Sequence, residues 1–255
     1  EVAFIIAGLG GSDGSGLAPL IAREASAKGA VAVAIVVMPY VFEKQKHFYA
    51  GCALKQIRKY AAGVVVIDND ELLEQNMPII DSYALVNEKI ALALNKLMGA
   101  TQEHEFSIGL NKVLDFVKTN SYSVLCLGDC PQISGYRQAV MNAASHFDRT
   151  VDASQASKSL VHLCTSKSIT MNELASSIGG LSGILGSGNM QIEYGLSANG
   201  VTTTTAIIMA TGFSTTKFDL YDPVDSALGP FGGNLDQDYD NSARCETLLT
   251  NLEIE

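Results

Sequence analysis

The chain has 255 residues, of which 47% are hydrophobic and 17% are charged; this is enough apolar material for a large core and excludes global disorder. Acidic residues outnumber basic ones by 27 to 17, so the basic surface typical of nucleic-acid-binding proteins is excluded. Every apolar run is shorter than the ~18 residues of a membrane-spanning helix, and we expect no direct insertion into a membrane.

The first part of the chain alternates between apolar runs and segments with helical periodicity. The predicted elements are buried strands at 1–7, 31–38 and 64–67 and helices at 17–28, 44–62 and 78–98. Gly29 follows the first helix and is typical of a helix end. Short strand–helix–strand units predict a parallel α/β sheet with right-handed crossovers, in which the helix at 78–98 is the longest element.

The second part of the chain has a different pattern of helices and strands, which predicts an α+β domain with a mixed sheet. After a linker at 100–110, the predicted elements are helices at 112–120, 134–147 and 169–185 and strands at 123–127, 159–164, 190–196 and 202–210. The last two strands are close enough in sequence for a hairpin. From residue 214 the periodicity is lost, and residues 219–255 contain nine acidic residues and one basic one, which predicts a mobile acidic tail.

A glycine-rich segment at 8–16, Gly-Leu-Gly-Gly-Ser-Asp-Gly-Ser-Gly, lies between the first strand and the first helix. Backbone amides at such a helix start point toward an anion, and glycines let phosphate oxygens approach closely. The segment lacks the lysine of a Walker A loop, and Asp13 stands where the dinucleotide-binding fingerprint needs its third glycine. We therefore expect a phosphate-binding loop of another kind.

The segment resembles the Gly-Gly-Gly-Thr-Gly-Thr/Ser-Gly signature of the tubulin/FtsZ superfamily. The matching residues are Gly10, Gly11, Ser12, Asp13, Gly14, Ser15 and Gly16. The run Ala-Thr-Gly-Phe at 210–213 is similar to the end of the FtsZ globular region. The resemblance implies the remainder of a GTP-binding domain at 1–99, an FtsZ-type C-terminal domain at 100–213 and a tail at 214–255. In the family further strand–helix elements, with another glycine loop, come first, and we expect such a segment before Glu1.

The same resemblance implies a set of nucleotide contacts. Glu43, in the Pro-x-x-Phe-Glu pattern at 39–43, corresponds to a ribose contact, and His47 stands where the family has an arginine. Asn69 corresponds to a residue that reads the base edge. Tyr83 and Asn87 correspond to the aromatic that stacks on guanine and to its amide partner one helical turn later, on the same helix face. The implied ligand is GTP or GDP, with Mg²⁺ as a further candidate.

The loop that FtsZ donates to the next subunit, Asn-x-Asp-x-x-Asp, is degenerate here. Counted from Asn111, its acid positions hold Val113 and Phe116, and a shift by one residue brings Lys112 and Asp115 there instead. Asn111 and Asp115 are the predicted catalytic residues. One carboxylate or more is missing, so a weak GTPase and a non-hydrolysing relative both stay open.

The resemblance also implies partners and a location. It implies a cytoplasmic protein that assembles with itself head to tail, with a C-terminal peptide that docks on a membrane-tethering protein. Leucines at 248, 249 and 252 give the end of the tail one apolar helical face, which also fits packing on the globular body. The three functional alternatives are a filament-forming GTPase, a pseudo-GTPase scaffold of the same fold, and a nicotinamide-dependent oxidoreductase using the glycine loop.

Overall fold

The computed structural model describes most of the chain. The described residues are 1–72, 78–98, 110–119, 121–132, 135–165, 168–186, 190–198 and 203–222. The chain divides into two units, Glu1–Tyr221 and Asp222–Glu255, and all strands and helices named below belong to the first. The predicted linker, apart from residue 110, and the tail beyond residue 222 lie outside the described residues.

The described residues of the first unit contain seven strands and seven α-helices. The strands are β1 (Val2–Gly8), β2 (Val31–Met38), β3 (Gly63–Asp68), β4 (Tyr122–Cys130), β5 (Lys158–Thr165), β6 (Gln191–Ala198) and β7 (Thr204–Phe213). The helices are α1 (Ser12–Ala27), α2 (Lys44–Tyr60), α3 (Ile79–Met98), α4 (Leu110–Val117), α5 (Tyr136–Ala144), α6 (Phe147–Thr150) and α7 (Met171–Ile184). Most predicted elements are therefore present, with shifted ends.

All seven strands lie in one sheet, in the order β1-β2-β3-β4-β7-β5-β6. The first four are parallel neighbours, β7 runs antiparallel to β4 and β5, and β6 is parallel to β5. The expected α/β class is confirmed, with a parallel region followed by a mixed one. The expected hairpin between the last two strands is wrong, because β5 lies between them. A short sequence separation does not make two strands partners when a crossover places another strand between them.

The core lies on both faces of the sheet. α1, α2, α5 and α7 cover one face, and α3 and α4 cover the other. In β2, Ala34 and Val36 face the first layer, and Val33 and Ile35 face the second, which explains its continuous apolar run. α3 has 20 residues and is about 30 Å long, which makes it the longest helix among the described residues.

β1 differs from the prediction of a fully buried strand. It is an edge strand and, among the described residues, pairs only with β2. Val2 and Ile6 are 40% and 57% exposed. α1 covers it on one face, and Leu17, Leu20 and Ile21 of that helix are themselves exposed. An apolar run alone does not distinguish a central strand from an edge strand.

The ends of two segments also differ from prediction. α1 begins at Ser12 instead of residue 17, so Gly14 and Gly16 belong to the helix. Its carboxyl end is as expected: Gly29 has φ +78°, and Ala30 N–H donates to the Ala25 carbonyl, which forms a Schellman motif. The first unit extends to Tyr221, so residues 214–221 are packed structure and not part of a mobile tail.

In the part of the chain that the structure describes, no helix is both long enough and apolar enough to span a bilayer.

Candidate functional site

Most of the predicted nucleotide-binding residues follow the carboxyl ends of three neighbouring parallel strands, and the others lie on α2 and α3. The glycine loop follows β1, the segment 39–43 follows β2, and Asn69 follows β3. The register pairs Gly8 with Val37 and Val37 with Ile67, so these strands end level with one another. Ligands of open α/β sheets bind at this edge.

The glycine loop presents free backbone at the start of α1. Gly10 has φ +97°, which favours glycine, and its N–H donates to Ser15 Oγ at 2.8 Å. Gly11 is the N-cap residue, and no side chain caps this helix end. The first-turn amides of α1 are therefore left for an anion, in the region of positive helix dipole.

A cleft of about 530 Å³ opens beside this loop. One wall is the loop itself, from Gly10 to Gly16, and the other is a face of α2 that includes Tyr49, Cys52 and Gln56. The space over Gly11 and Gly16 is open, because a Cβ added at either position meets no atom within 4 Å. The α2 wall was not predicted, since its residues show only ordinary helical spacing.

The loop after β2 is organised by Glu43. One oxygen of its carboxylate accepts a hydrogen bond from Tyr40 N–H at 3.2 Å, and the other is paired with Lys46. His47 Nε2 lies 3.0 Å from the Tyr40 carbonyl oxygen, and its ring stacks on Tyr221 at 3.8 Å. Both predicted ribose-side residues are thus already held by protein contacts at this edge of the sheet.

Tyr83, on α3, reaches the same loop through an aromatic cluster. Its ring meets Tyr40 edge to face at 5.3 Å, and Tyr40 stacks on Phe42 at 5.2 Å. Burial, followed by the charges of Tyr83, Glu43 and Asp70, raises the pKa of Tyr40 to about 12, so this residue stays neutral. Tyr83 is 40% exposed, and Asn87 is exposed one turn later. Both side chains are therefore accessible to a ligand.

Asn69 has an unsatisfied polar atom. Its Oδ1 is buried and has no hydrogen-bond partner within the protein. A buried acceptor without a partner is costly, so such atoms in folded proteins call for an explanation. A guanine base carries N–H donors on one edge, which suit this oxygen.

Asn111 and Asp115 lie at the other end of the sheet. A Cβ placed on Gly63, the first residue of β3, would lie only 2.3 Å from the Val117 carbonyl oxygen at the end of α4. The glycine loop is level with Ile67, at the other end of β3. Gly63 and Ile67 are four residues apart in this strand, which corresponds to about 13 Å. Within one chain the structure does not bring Asp115 to the glycine loop.

A smaller cavity of about 200 Å³ lies beside Asp115. Lys112 lines it too, and its Nζ donates to Glu193 Oε2 at 2.9 Å. This hydrogen bond lowers the pKa of Glu193. Asn111 and Asp115 are both exposed on α4. Among the described residues, no group of three His, Cys, Asp or Glu side chains is placed to hold a metal ion.

Comparison with known proteins gives a consistent relationship. The sequence model of the Tubulin/FtsZ family, GTPase domain, matches residues 1–77. Cell division protein FtsZ 2 of Haloferax volcanii is 27% identical over 176 residues, which is 68% of this chain and 44% of that protein. FtsZ 1 of Pyrococcus furiosus is 29% identical over 167 residues, 64% of this chain and 45% of that protein. The chain spans less than half the length of these relatives.

Solved structures show the same fold. A mutant FtsZ of M. jannaschii superposes with a TM-score of 0.70 at 25% identity, covering 83% of this chain and 65% of that one. CetZ2 from Haloferax volcanii, a GTPgS-bound protofilament, superposes with a TM-score of 0.66 at 20% identity, covering 89% and 71%. The family match over residues 1–77, the FtsZ relatives and the shared fold together support membership of the tubulin/FtsZ superfamily.

Proposed function

We propose that this protein is a cytoplasmic cytoskeletal protein of the FtsZ/tubulin type that binds GTP or GDP and forms filaments, in cell division or cell shape. The observation that supports this most is the buried, unpartnered Oδ1 of Asn69, at the same sheet edge as the glycine loop and Tyr83. An acceptor of this kind fits a base with N–H donors, and the uncapped helix start beside it fits phosphate.

Each group at this edge has a distinct task in the proposal. The first-turn amides of α1, with Ser12, hold the phosphates. Tyr83 stacks on guanine, while Asn69 and Asn87 hydrogen-bond its edge. Tyr40 packs against Tyr83 and fixes the orientation of its ring. Glu43 and His47 lie on the ribose side, held in place by their contacts to the Tyr40 backbone.

Mg²⁺ fits this site only in a limited way. Mg²⁺ on nucleotides is usually bound by the phosphates, several waters and one or two carboxylates. Asp13, exposed in the first turn of α1, is the carboxylate at the loop. It would be the protein ligand, and the ion would neutralise phosphate charge.

The separation of the two ends supports head-to-tail assembly. The nucleotide-binding edge and Asp115 lie at opposite ends of the sheet, so Asp115 reaches a nucleotide only in a neighbouring subunit. A heterologous contact of this kind repeats without closing and generates a filament. The CetZ2 structure is itself described as a protofilament. Hydrolysis then occurs between subunits, with Asp115 orienting water.

A pseudo-GTPase scaffold is the second candidate. One observation favours it: Lys112, at one of the two acid positions of the loop, is ion-paired with Glu193 and leaves Asp115 as the single loop carboxylate. A filament with slow or no turnover follows from this arrangement. A nicotinamide-dependent oxidoreductase has less support, because Asp13 occupies the place of the third glycine.

Identification of the nucleotide retained by the purified full-length protein separates these candidates. The proposal expects guanine nucleotides, released on denaturation and resolved by chromatography, together with filaments that sediment when GTP is added. Filaments without phosphate release indicate the scaffold. Retention of NAD and no guanine nucleotide contradicts the proposal.

A further inference from the structure

After β7 the chain returns across the nucleotide-binding part of the molecule. Residues 214–221, which we call the C-terminal strap, include a short 3₁₀ helix, Lys217–Tyr221, that packs on α2 and buries Phe218 fully. Arg58 of α2 donates to the Ser214 carbonyl oxygen at 2.9 Å. Tyr122 Oη donates to Asp219 Oδ1 at 3.1 Å. The strap is thereby held along its length.

The strap reaches the nucleotide-binding edge at two points. Lys217 is ion-paired with Asp68, which is only 3% exposed and directly precedes Asn69. Tyr221 stacks on His47 with the two rings nearly parallel, at 4°. Each contact joins a strap residue to one of the proposed nucleotide contacts or to its immediate neighbour.

Asp68 is the centre of this arrangement. Its Oδ2 also accepts a hydrogen bond from Thr150 Oγ1 at 3.1 Å, and its Oδ1 accepts one from Asp70 N–H at 3.1 Å. Asp70 in turn accepts from Val41 N–H at 2.9 Å, which connects the segment to the loop after β2. The backbone on both sides of Asn69 is therefore fixed through one buried carboxylate.

The pKa shifts of the groups around Asp68 indicate that this region is partly shielded from water. Burial is the main cause that raises the pKa of Asp70. Burial, followed by the charges of Asp68 and Asp70, raises the pKa of Tyr221 to about 12. For Glu71 burial acts in the same upward direction, but the hydrogen bond from His146 and the nearby charges of His146, Arg149 and Lys217 outweigh it and lower the pKa. A cation in such surroundings interacts strongly with its partner.

We propose that the C-terminal strap is a working part of the nucleotide site, in which Lys217 positions Asn69 through Asp68 and Tyr221 positions His47. Both strap residues are positioning residues, and neither touches the ligand. The inference rests on the proposed function for its ligand. Because the Asn69 oxygen is buried, a small shift of its backbone removes its alignment with the base, so loss of Lys217 reduces discrimination between bases as well as affinity.

The test compares Lys217→Met with Lys217→Arg, which keeps the charge, and with Lys118→Met, which removes an exposed lysine at the far end of the sheet. Two quantities are measured on the full-length protein: the Kd values for GTP and for inosine triphosphate, which lacks the 2-amino group, and the exchange rates of the Asp70 and Leu72 amides without nucleotide. Lys217→Met is expected to raise the Kd for GTP about tenfold, equivalent to ~1.4 kcal/mol. It should also reduce the preference for GTP over inosine triphosphate, and the amides of Asp70 and Leu72 should exchange faster. The other two variants keep the wild-type values.

A second variant guards against misfolding. The double variant Asp68→Asn, Lys217→Met removes both charges and leaves no unpaired buried carboxylate, so it is expected to stay folded. Its preference for GTP over inosine triphosphate should be reduced as in Lys217→Met. Tyr221→Leu is expected to raise the Kd values for GTP and inosine triphosphate by the same factor. Tyr221→Phe, which keeps the stacked ring, is expected to leave both Kd values unchanged.

Unchanged exchange rates and an unchanged preference for GTP over inosine triphosphate, both in Lys217→Met and in the double variant, overturn the proposal. Equal weakening of both triphosphates in step with a lower melting temperature assigns Lys217 a purely structural role and overturns it too. If the wild-type protein binds no guanine nucleotide, the proposed function fails. The exchange rates then decide on their own whether the strap holds Asn69.

Discussion

Gly14, in the first turns of α1, lies directly against Gly8 at the end of β1. A Cβ built on Gly14 would lie 1.9 Å from the Gly8 carbonyl oxygen, closer than any real contact allows. Gly16, two residues later in the same helix, has open space at the corresponding position. The glycine loop therefore contains one glycine that the packing requires and another that it does not.

Alanine at these two positions is expected to have opposite effects. Gly14→Ala forces α1 away from β1, at a cost of about 1–3 kcal/mol in the free energy of unfolding, and disturbs the phosphate-binding amides. Gly16→Ala stabilises the helix by up to about 1 kcal/mol. Denaturant unfolding and GTP titration of both variants check this. A Gly14→Ala protein as stable as the wild type contradicts the contact.

Asp13 places a negative charge in the loop that is expected to bind phosphate. Two unit charges 4 Å apart repel by about 1 kcal/mol in water, so Asp13→Thr is expected to tighten GTP binding about fivefold. Asp13→Glu keeps the charge and serves as the control. The difference between the two variants should shrink at high salt. Weaker GTP binding by Asp13→Thr that appears only with Mg²⁺ present would mean instead that Asp13 holds the ion.

Asp115 is expected to act on the nucleotide of the next subunit. Asp115→Ala should abolish residual phosphate release, since water-orienting groups typically contribute 10²–10⁴-fold. A second variant, Asn69→Ala with Tyr83→Ala, loses the nucleotide but keeps Asp115. Mixing the two inactive proteins should restore part of the turnover, because an intact site on one subunit then meets an intact Asp115 on another. No recovery in co-assembled filaments contradicts action between subunits.

Much of the parallel half of the fold was predictable from residue patterns. β2 and β3 are covered on both faces, and a strand of that kind has a continuous apolar run. Gly29 was recognisable because a left-handed residue ends many helices. The start of α1 was not predictable, since Gly14 is required by its contact with Gly8, and a contact of this kind leaves no periodic signal.

The parts that prediction missed depend on long-range partners. The position of β7 between β4 and β5 is set by pairing across the whole chain, whereas the sequence distance to β6 indicated a hairpin. The strap was missed because Lys217 and Phe218 are isolated residues whose partners, such as Asp68, lie far away in sequence. The candidate site residues were found because each stands in a short motif. Their roles stay predictions.

The strap also changes the expected effect of shortening the chain. Removal of all residues from 214 onward deletes Phe218 and exposes its site in the core, at a cost of about 3–5 kcal/mol. The melting temperature should then fall by several degrees, at ~2–4 °C per kcal/mol. Removal of residues 223–255 alone should leave the melting temperature and self-assembly unchanged. If the tail docks on a membrane-tethering protein, as the resemblance to FtsZ implies, this shorter deletion loses recruitment to the membrane in cells.

The most direct test of the account is the choice of base. Asn69, Tyr83 and Asn87 are proposed to recognise guanine. The buried oxygen of Asn69 would accept from N1–H or the 2-amino group of guanine, two positions at which adenine has no N–H donor. Bound fluorescent GTP on the full-length protein is displaced by unlabelled GTP or ATP, with Asn69→Ala as the matched variant. We expect displacement by GTP at a much lower concentration than by ATP, and a smaller difference between the two in Asn69→Ala. Equal displacement by GTP and ATP in the wild type would contradict it.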